Sequence, residues 1–420
     1  MAPPQLYPTT PKFWEDFAKI TSNRLTPLDT RFWLVVCSTP LRLGRCIKEE
    51  VRSHKGSGVE LEERLAWIGL SMVKGIGPVR FRRLVSHFGS ARAALEAPPH
   101  MLEAAGLPPT VTRALTRLRG SLDLPRLWER WRQRGIEVLT WEDAAYPHRL
   151  KQLEHAPPVL YVQGQLIPED DWAVAIVGTR KMSAYGRQVA EEIAGLLATH
   201  GVTVISGLAR GIDGAAHRSA LRHNGRTIAV LGSGVDIIYP PEHRHLATQI
   251  RAHGALVSEY PPGTRAEAIN FPPRNRIIAG MSIATVVVEA GRKSGALITA
   301  AFAADQGRDV FAVPGSIYAE QSRGTNWLLA QGARPLTAAE DVLEALDLGL
   351  LPQRQAARRT LPATPEEERL LAALGDAPLH VDELSARLGL PVSEVTATLT
   401  LMELKGLVQA VGGMQYVIAR

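Results

Sequence analysis

The sequence predicts an α/β fold: an extended Rossmann-like, doubly wound and mainly parallel sheet, preceded by a helical SAM-like (helix-hairpin-helix) domain and followed by a winged-helix domain. Three observations predict it. Six short runs, AVAIVGT (173–179), TVISGLA (203–209), TIAVLGS (227–233), ALVSEY (255–260), TVVVEA (285–290) and DVFAVPG (309–315), recur with room for a helix between them. They are near-continuously apolar rather than alternating, as strands buried on both faces are. Before and after this stretch, apolar residues return at i, i+3 and i+4 instead, which is the helical period.

Composition narrows the class. The 420 residues are 45% apolar and 21% charged, ordinary for a globular chain of several domains. No apolar run approaches the 18 or so residues of a membrane span, and FWLVV (32–36) is too short for a secretory signal, so a cytoplasmic protein without membrane contact is expected. Cys37 and Cys46 are the only cysteines and have no nearby histidine partners, which argues against a disulfide framework or a zinc site. The net charge of +6 is unevenly spread, +5 over residues 61–150 but −4 over 364–420, so nucleic-acid binding has to rest on local patches.

In chain order, residues 1–58 read as a poorly ordered extension ending in the linker-like SHKGSG. Residues 59–135 form the helical domain. Within it, Lys74-Gly75-Ile76-Gly77-Pro78-Val79-Arg80 joins two helical patterns and resembles a helix-hairpin-helix element. Lys74, Gly75, Gly77 and Arg80 are its candidate DNA contacts, because such glycines open backbone N–H groups to a phosphate without reading sequence. A second hairpin at Gly106-Leu107-Pro108-Pro109 lacks those donors and reads as packing. EVLTW and VLYVQG then open the 136–346 sheet domain as edge strands.

In an open parallel sheet the carboxyl ends of the strands share one edge, where the loops after the runs converge. These loops carry Gly178-Thr179-Arg180, Gly207 to Gly211, Gly232-Ser233-Gly234, Gly291 to Gly295 and Pro314-Gly315-Ser316, a crevice suited to phosphate. A dinucleotide is disfavoured because Gly178 is followed by bulky residues until Gly186, and no G-x-x-x-x-G-K-[ST] motif supports a P-loop. No cofactor is expected. PPEHRHL matches no common zinc constellation, so His217, His243 and His245 read as surface or packing residues. No G-x-S-x-G elbow supports a nucleophilic triad, so neither a metal site nor a catalytic residue is expected.

The series VGTRKMSAYG, VISGLARGIDGAAH, AVLGSGVDIIYPPEH, SEYPPGT, FPPRNRIIAG, VEAGRKSGALITA and AVPGSI resembles, in order, the motifs of the bacterial DNA-processing protein A (DprA/Smf) family. The resemblance implies a binding protein, not an enzyme. It would protect incoming single-stranded DNA and load the RecA recombinase onto it during natural transformation and homologous recombination, alongside single-strand-binding protein and as a homodimer. By the family's G-S/T-R pattern, Arg180 reaches a DNA phosphate, with Gly178, Thr179 and Ser183 beside it. Gly207, Arg210 and Gly211 are further candidate contacts to the single strand, the glycines allowing close backbone approach, while Asp213 caps a helix or holds Arg210. Phe271 is a candidate for stacking on a base, and Arg274, Asn275 and Arg276 for backbone contact, with at least one of the two arginines expected to be structural. Arg292, Lys293, Ser294 and Gly295 make an anion site at a helix N-terminus.

Residues 347–363 read as an arginine-bearing linker, and 364–420 as three helices and a two-stranded wing. The expected recognition helix, Val392 to Lys405, carries Glu394 and Glu403 against Lys405 alone, which suits protein contact or regulation better than duplex reading. The alternative function is a nucleoside-phosphate hydrolase of the LOG type, but Gly291 to Thr299 lacks that loop's glutamate.

Overall fold

The computed structural model describes residues 58–348, 365–374, 378–404 and 407–418. Both cysteines, Lys405 and nearly all of the 1–58 extension and the 347–363 linker lie outside them. The chain divides into two compact units, with the boundary between Asp341 and Val342.

The first unit opens with six helices: α1 (Gly58–Ser71), α2 (Pro78–Phe88), α3 (Ala91–Glu96), α4 (Pro99–Ala104), α5 (Pro109–Ser121) and α6 (Leu124–Gln133). Their starts are written in the sequence. Pro78, Pro99 and Pro109 occupy first-turn positions that need no N–H, Ser90 accepts the Ala93 N–H at 3.0 Å, and Asp123 accepts that of Arg126 at 3.0 Å.

The nine-stranded sheet follows. Its strands are β1 (Ile136–Thr140), β2 (Val159–Gly164), β3 (Ala173–Val177), β4 (Thr203–Ser206), β5 (Thr227–Val230), β6 (Ala255–Ser258), β7 (Ala284–Val287), β8 (Asp309–Ala312) and β9 (Arg334–Pro335), in the order β1-β2-β6-β5-β4-β3-β7-β8-β9. The hairpin β1–β2 and the pair β2–β6 are antiparallel, and every other pair is parallel. All six apolar runs are strands, and β3 to β7 are buried along their whole length, as burial on two faces requires.

The crossover helices are α8 (Ala184–Thr199), α9 (Ile212–Arg222), α10 (Arg244–His253), α11 (Phe271–Gly280), α12 (Ala296–Asp305) and α13 (Arg323–Ala330); short α7 (His148–Lys151) and α14 (Asp341–Ala345) complete the set. Strand order runs outward from β3 to β6, then returns to β7 on the other side of β3. That reversal is a topological switch point, where an open sheet leaves a crevice beyond its strand ends. One sheet face and helices α11 and α12 share a core containing Ala175, Val177, Ile277, Val287, Leu297 and Ala300. The opposite face shares a core with α10 and the N-terminal helices, joining Phe81, Leu84, Leu115, Tyr161, Leu231 and Ile250. The helical segment is therefore not a separate bead. Trp67, Phe81 and Trp141 meet with ring centroids 4.7 to 5.6 Å apart, and Arg64 grips Asp143 with both terminal nitrogens, at 3.0 and 2.6 Å.

The second unit carries α15 (Pro365–Ala373), β10 (Leu379–His380), α16 (Val381–Leu388), α17 (Val392–Leu404), β11 (Val408–Gly412) and β12 (Gln415–Ile418). Leu370, Val381, Leu384, Val395, Leu399, Met402 and Val408 form its own core, and Gly389 ends α16 at φ 64°. The wing gains a third, two-residue strand, in the order β10-β12-β11. Among the described residues of α17 there is no basic side chain.

Candidate nucleic-acid interface

At the switch point the β3 loop is fixed by backbone before any side chain acts. The Thr179 N–H donates to the Glu289 carbonyl at 2.7 Å, and the Thr179 carbonyl accepts the Ile212 N–H at 3.2 Å. Gly178 has no room for a side chain, since a Cβ would stand 2.5 Å from Ile212 Cγ1. Gly211, at φ +76°, passes so close to the Thr179 carbonyl that a Cβ would lie 2.2 Å from it. These glycines fasten the β3, β4 and β7 loops together. Arg180 emerges from this frame exposed, with its guanidinium 5.5 Å from the Phe271 ring centroid and no carboxylate partner among the described residues.

Several expected contacts are spent internally. The Ser183 hydroxyl accepts the Gly186 N–H at 3.0 Å as the N-cap of α8 and donates to Glu289, while the Ser183 N–H donates to the other Glu289 oxygen at 2.9 Å. Ser183 is thus a buttress rather than a phosphate donor. Glu289 is 3% exposed and anchors the Arg180 loop through Ser183 and Thr179. A carboxylate at the end of an apolar strand was its only signal.

Arg274 and Asn275 are buried, 5% and 8% exposed. Arg274 donates to the Gly207 carbonyl at 2.9 Å, to the Val230 carbonyl and to Asn275 Oδ1 at 3.1 Å, and Asn275 donates onward to the Gly295 carbonyl at 3.3 Å. Asp213 faces Arg274 and accepts the N–H groups of Gly207 and Ala209 at 3.1 and 3.3 Å. It therefore holds the β4 loop and Arg274, not Arg210. Burial lowers the Arg274 pKa to about 10 against the pull of Asp213, and burial raises that of Asp213. Arg276 pairs with Glu259 in a largely buried contact. Both arginines of FPPRNRIIAG are thus structural, and Phe271 alone of its candidates reaches the crevice, half-buried. Gly207 is buried, and a Cβ there would meet Arg274 at 2.8 Å.

On the far side of the switch point Arg292 and Lys293 are exposed, with Arg292 lying 5.6 Å from the Trp327 ring centroid. Ser294 Oγ accepts the Ala296 N–H at 3.3 Å as α12 begins, and a Cβ at Gly295 would meet only open space. Arg210 is exposed and paired with exposed Glu242. Arg180, Phe271, Arg292 and Lys293 therefore remain as the accessible set, around loops that converge on one edge.

In the helical segment Gly75 stands at φ +100° with Ile76 buried beneath it, and Lys74 and Gly77 are exposed. Arg80 donates to the Gly75 carbonyl at 2.6 Å and so braces the hairpin. The Gly106 hairpin, at φ +92° over buried Leu107, is its partner: Val111 of α5 lies against Gly75, and Arg83 of α2 lies against Gly106. His217 and His243 are buried and bonded to Thr227 and the Leu208 carbonyl, and no metal-ligating cluster occurs among the described residues.

This architecture matches known families over most of the chain. The family model described as DNA recombination-mediator protein A covers residues 137–347, and models of a DprA winged helix domain and a DprA-like N-terminal HHH domain cover 354–414 and 61–116. The chain belongs to the DNA recombination-mediator protein A family. The Smf protein of Synechocystis is 38% identical over 391 residues, spanning 84% of this chain and 98% of that relative. Escherichia coli Smf is 38% identical over 363 residues, spanning 84% and 95%. The X-ray structure of DNA processing protein A from Streptococcus pneumoniae superposes with a TM-score of 0.59 at 31% identity, covering 67% of this chain and 97% of that one. As a member of this family, the chain places its switch-point loops inside the region the central model covers, and its paired hairpins inside the N-terminal one.

Proposed function

We propose that the protein binds single-stranded DNA in the switch-point crevice, mainly through its phosphates and with little sequence preference, and passes it to RecA in the presence of single-strand-binding protein. The observation that carries this reading is Arg180, an exposed guanidinium without a carboxylate partner among the described residues, poised over the half-buried Phe271 ring. A flexible strand can lay a phosphate on the cation and a base on the ring together, whereas a duplex keeps its bases stacked inside. Arg292 and Lys293 extend the positive rim. Membership of a recombination-mediator family supports a recombinase as the receiving partner and a binding role without catalysis. Homodimerisation and a cytoplasmic location belong to the same reading, as does a secondary contact by Lys74 and Gly77; no helix among the described residues is long and apolar enough to cross a membrane.

The test is a fluorescence-anisotropy titration of a labelled strand of about 50 nucleotides against its duplex, followed by RecA filament assembly on a strand precoated with single-strand-binding protein. Preference for the single strand and faster filament assembly support the proposal. Equal affinity for the duplex, or no effect on assembly, contradicts it.

A further inference from the structure

Arg180, Phe271 and Tyr239 neighbour one another at the crevice rim, and Arg210 stands nearby on the loop after β4. The Tyr239 ring lies 5.8 Å from that of Phe271 and is inclined by 39°. Arg210 is held above its usual pKa by its hydrogen bond to Glu242, with a smaller push from the Tyr239 phenol. Tyr239 is 41% exposed although it precedes Pro240 and Pro241, which stiffen its backbone. Phe271 is supported from below by Gly232, where a Cβ would stand 2.7 Å from the ring. The two rings thus neighbour each other at the rim, Tyr239 exposed and Phe271 half-buried.

We propose that Tyr239 is a second base-stacking residue of this site, and that Arg210 is a second phosphate contact which Glu242 holds in check. The proposal rests on the single-strand reading above and extends it to two neighbouring nucleobases. Any base offers a π-face, so a second ring adds affinity without adding sequence preference. The Arg210–Glu242 pair lies at the surface, with side chains 55% and 49% exposed. Such pairs are weak, so a phosphate can displace the carboxylate, which competes for the same guanidinium.

The experiment compares a labelled single strand with a strand of equal length built from abasic sites, titrated against the full chain and its variants. Tyr239→Ala weakens binding of the base-bearing strand about tenfold and leaves the abasic strand unchanged. Tyr239→Phe, which keeps the ring, restores the loss. Glu242→Gln tightens both strands about two- to fivefold. An equal loss on both strands, or none on the base-bearing strand while Arg180→Ala still weakens it, overturns the stacking role of Tyr239. Unchanged affinity in Glu242→Gln overturns the competition at Arg210. If Arg180→Ala also changes neither strand, the crevice is not the binding site and both readings fall.

Discussion

Arg274, in the first turn of α11, and Arg180, in the loop after β3, have the same side chain and opposite fates. Arg274 is enclosed by the Gly207 and Val230 carbonyls, Asn275 and Asp213, while Arg180 lies exposed beside the Phe271 ring with no carboxylate partner among the described residues. Arg274→Met leaves the buried Asp213 without its cation. Removing one partner of a buried pair costs about 3 to 5 kcal/mol, so urea denaturation of this variant is expected to show a loss of that size. Equal stability would show that the Gly207 and Ala209 N–H groups alone hold Asp213. The sequence places Arg180 after a strand and Arg274 at the start of a helix, but which one turns inward depends on partners from β4 and β5 that no local pattern announces. The same limit hid the Ser183 hydroxyl: its motif is a good phosphate donor on paper, and only Glu289, far along the chain, shows it to be occupied.

Among the elements, the buried strands were the most legible because burial on both faces demands an unbroken apolar run. β9 and β10, two residues each, were not legible, being too short to show any period. A titratable group sits between α9 and β5. His217 bonds the Thr227 hydroxyl at 2.7 Å, and burial lowers its pKa to about 3 from 6.5. The unfolded chain takes up a proton here below about pH 6.5 and the folded chain does not, so His217 contributes stability that is complete above that pH and is lost progressively toward pH 3. Between those values His217→Gln is expected to show a stability–pH slope flatter by about 1.4 kcal/mol per pH unit, measured by chemical denaturation at stepped pH. An unchanged slope would place the acid sensitivity elsewhere.

For the whole molecule, the helical and sheet domains read from the sequence share one core through Trp67, Phe81, Trp141 and the Arg64–Asp143 pair, a packing the sequence did not show. The reason is geometric: apolar periodicity reports which face of an element is buried, not what covers it. The winged-helix unit has its own core, and its α17 presents Glu394 and Glu403 without a described basic residue. A chain ending at Leu348 is therefore expected to bind single-stranded DNA within about twofold of the full chain, since the contacts assigned here are all earlier. A larger loss in anisotropy titration would give the winged helix a direct part in DNA binding.

The proposed function sets a DNA phosphate against Arg180 in the switch-point crevice. Its most direct test is the salt dependence of single-strand affinity for the wild type and Arg180→Ala. Loss of one phosphate contact lowers the magnitude of the log–log slope by about 0.7, together with a clear loss of affinity at low salt and an unchanged unfolding midpoint. Identical slopes and affinities would contradict the account and move the DNA away from the sheet crevice.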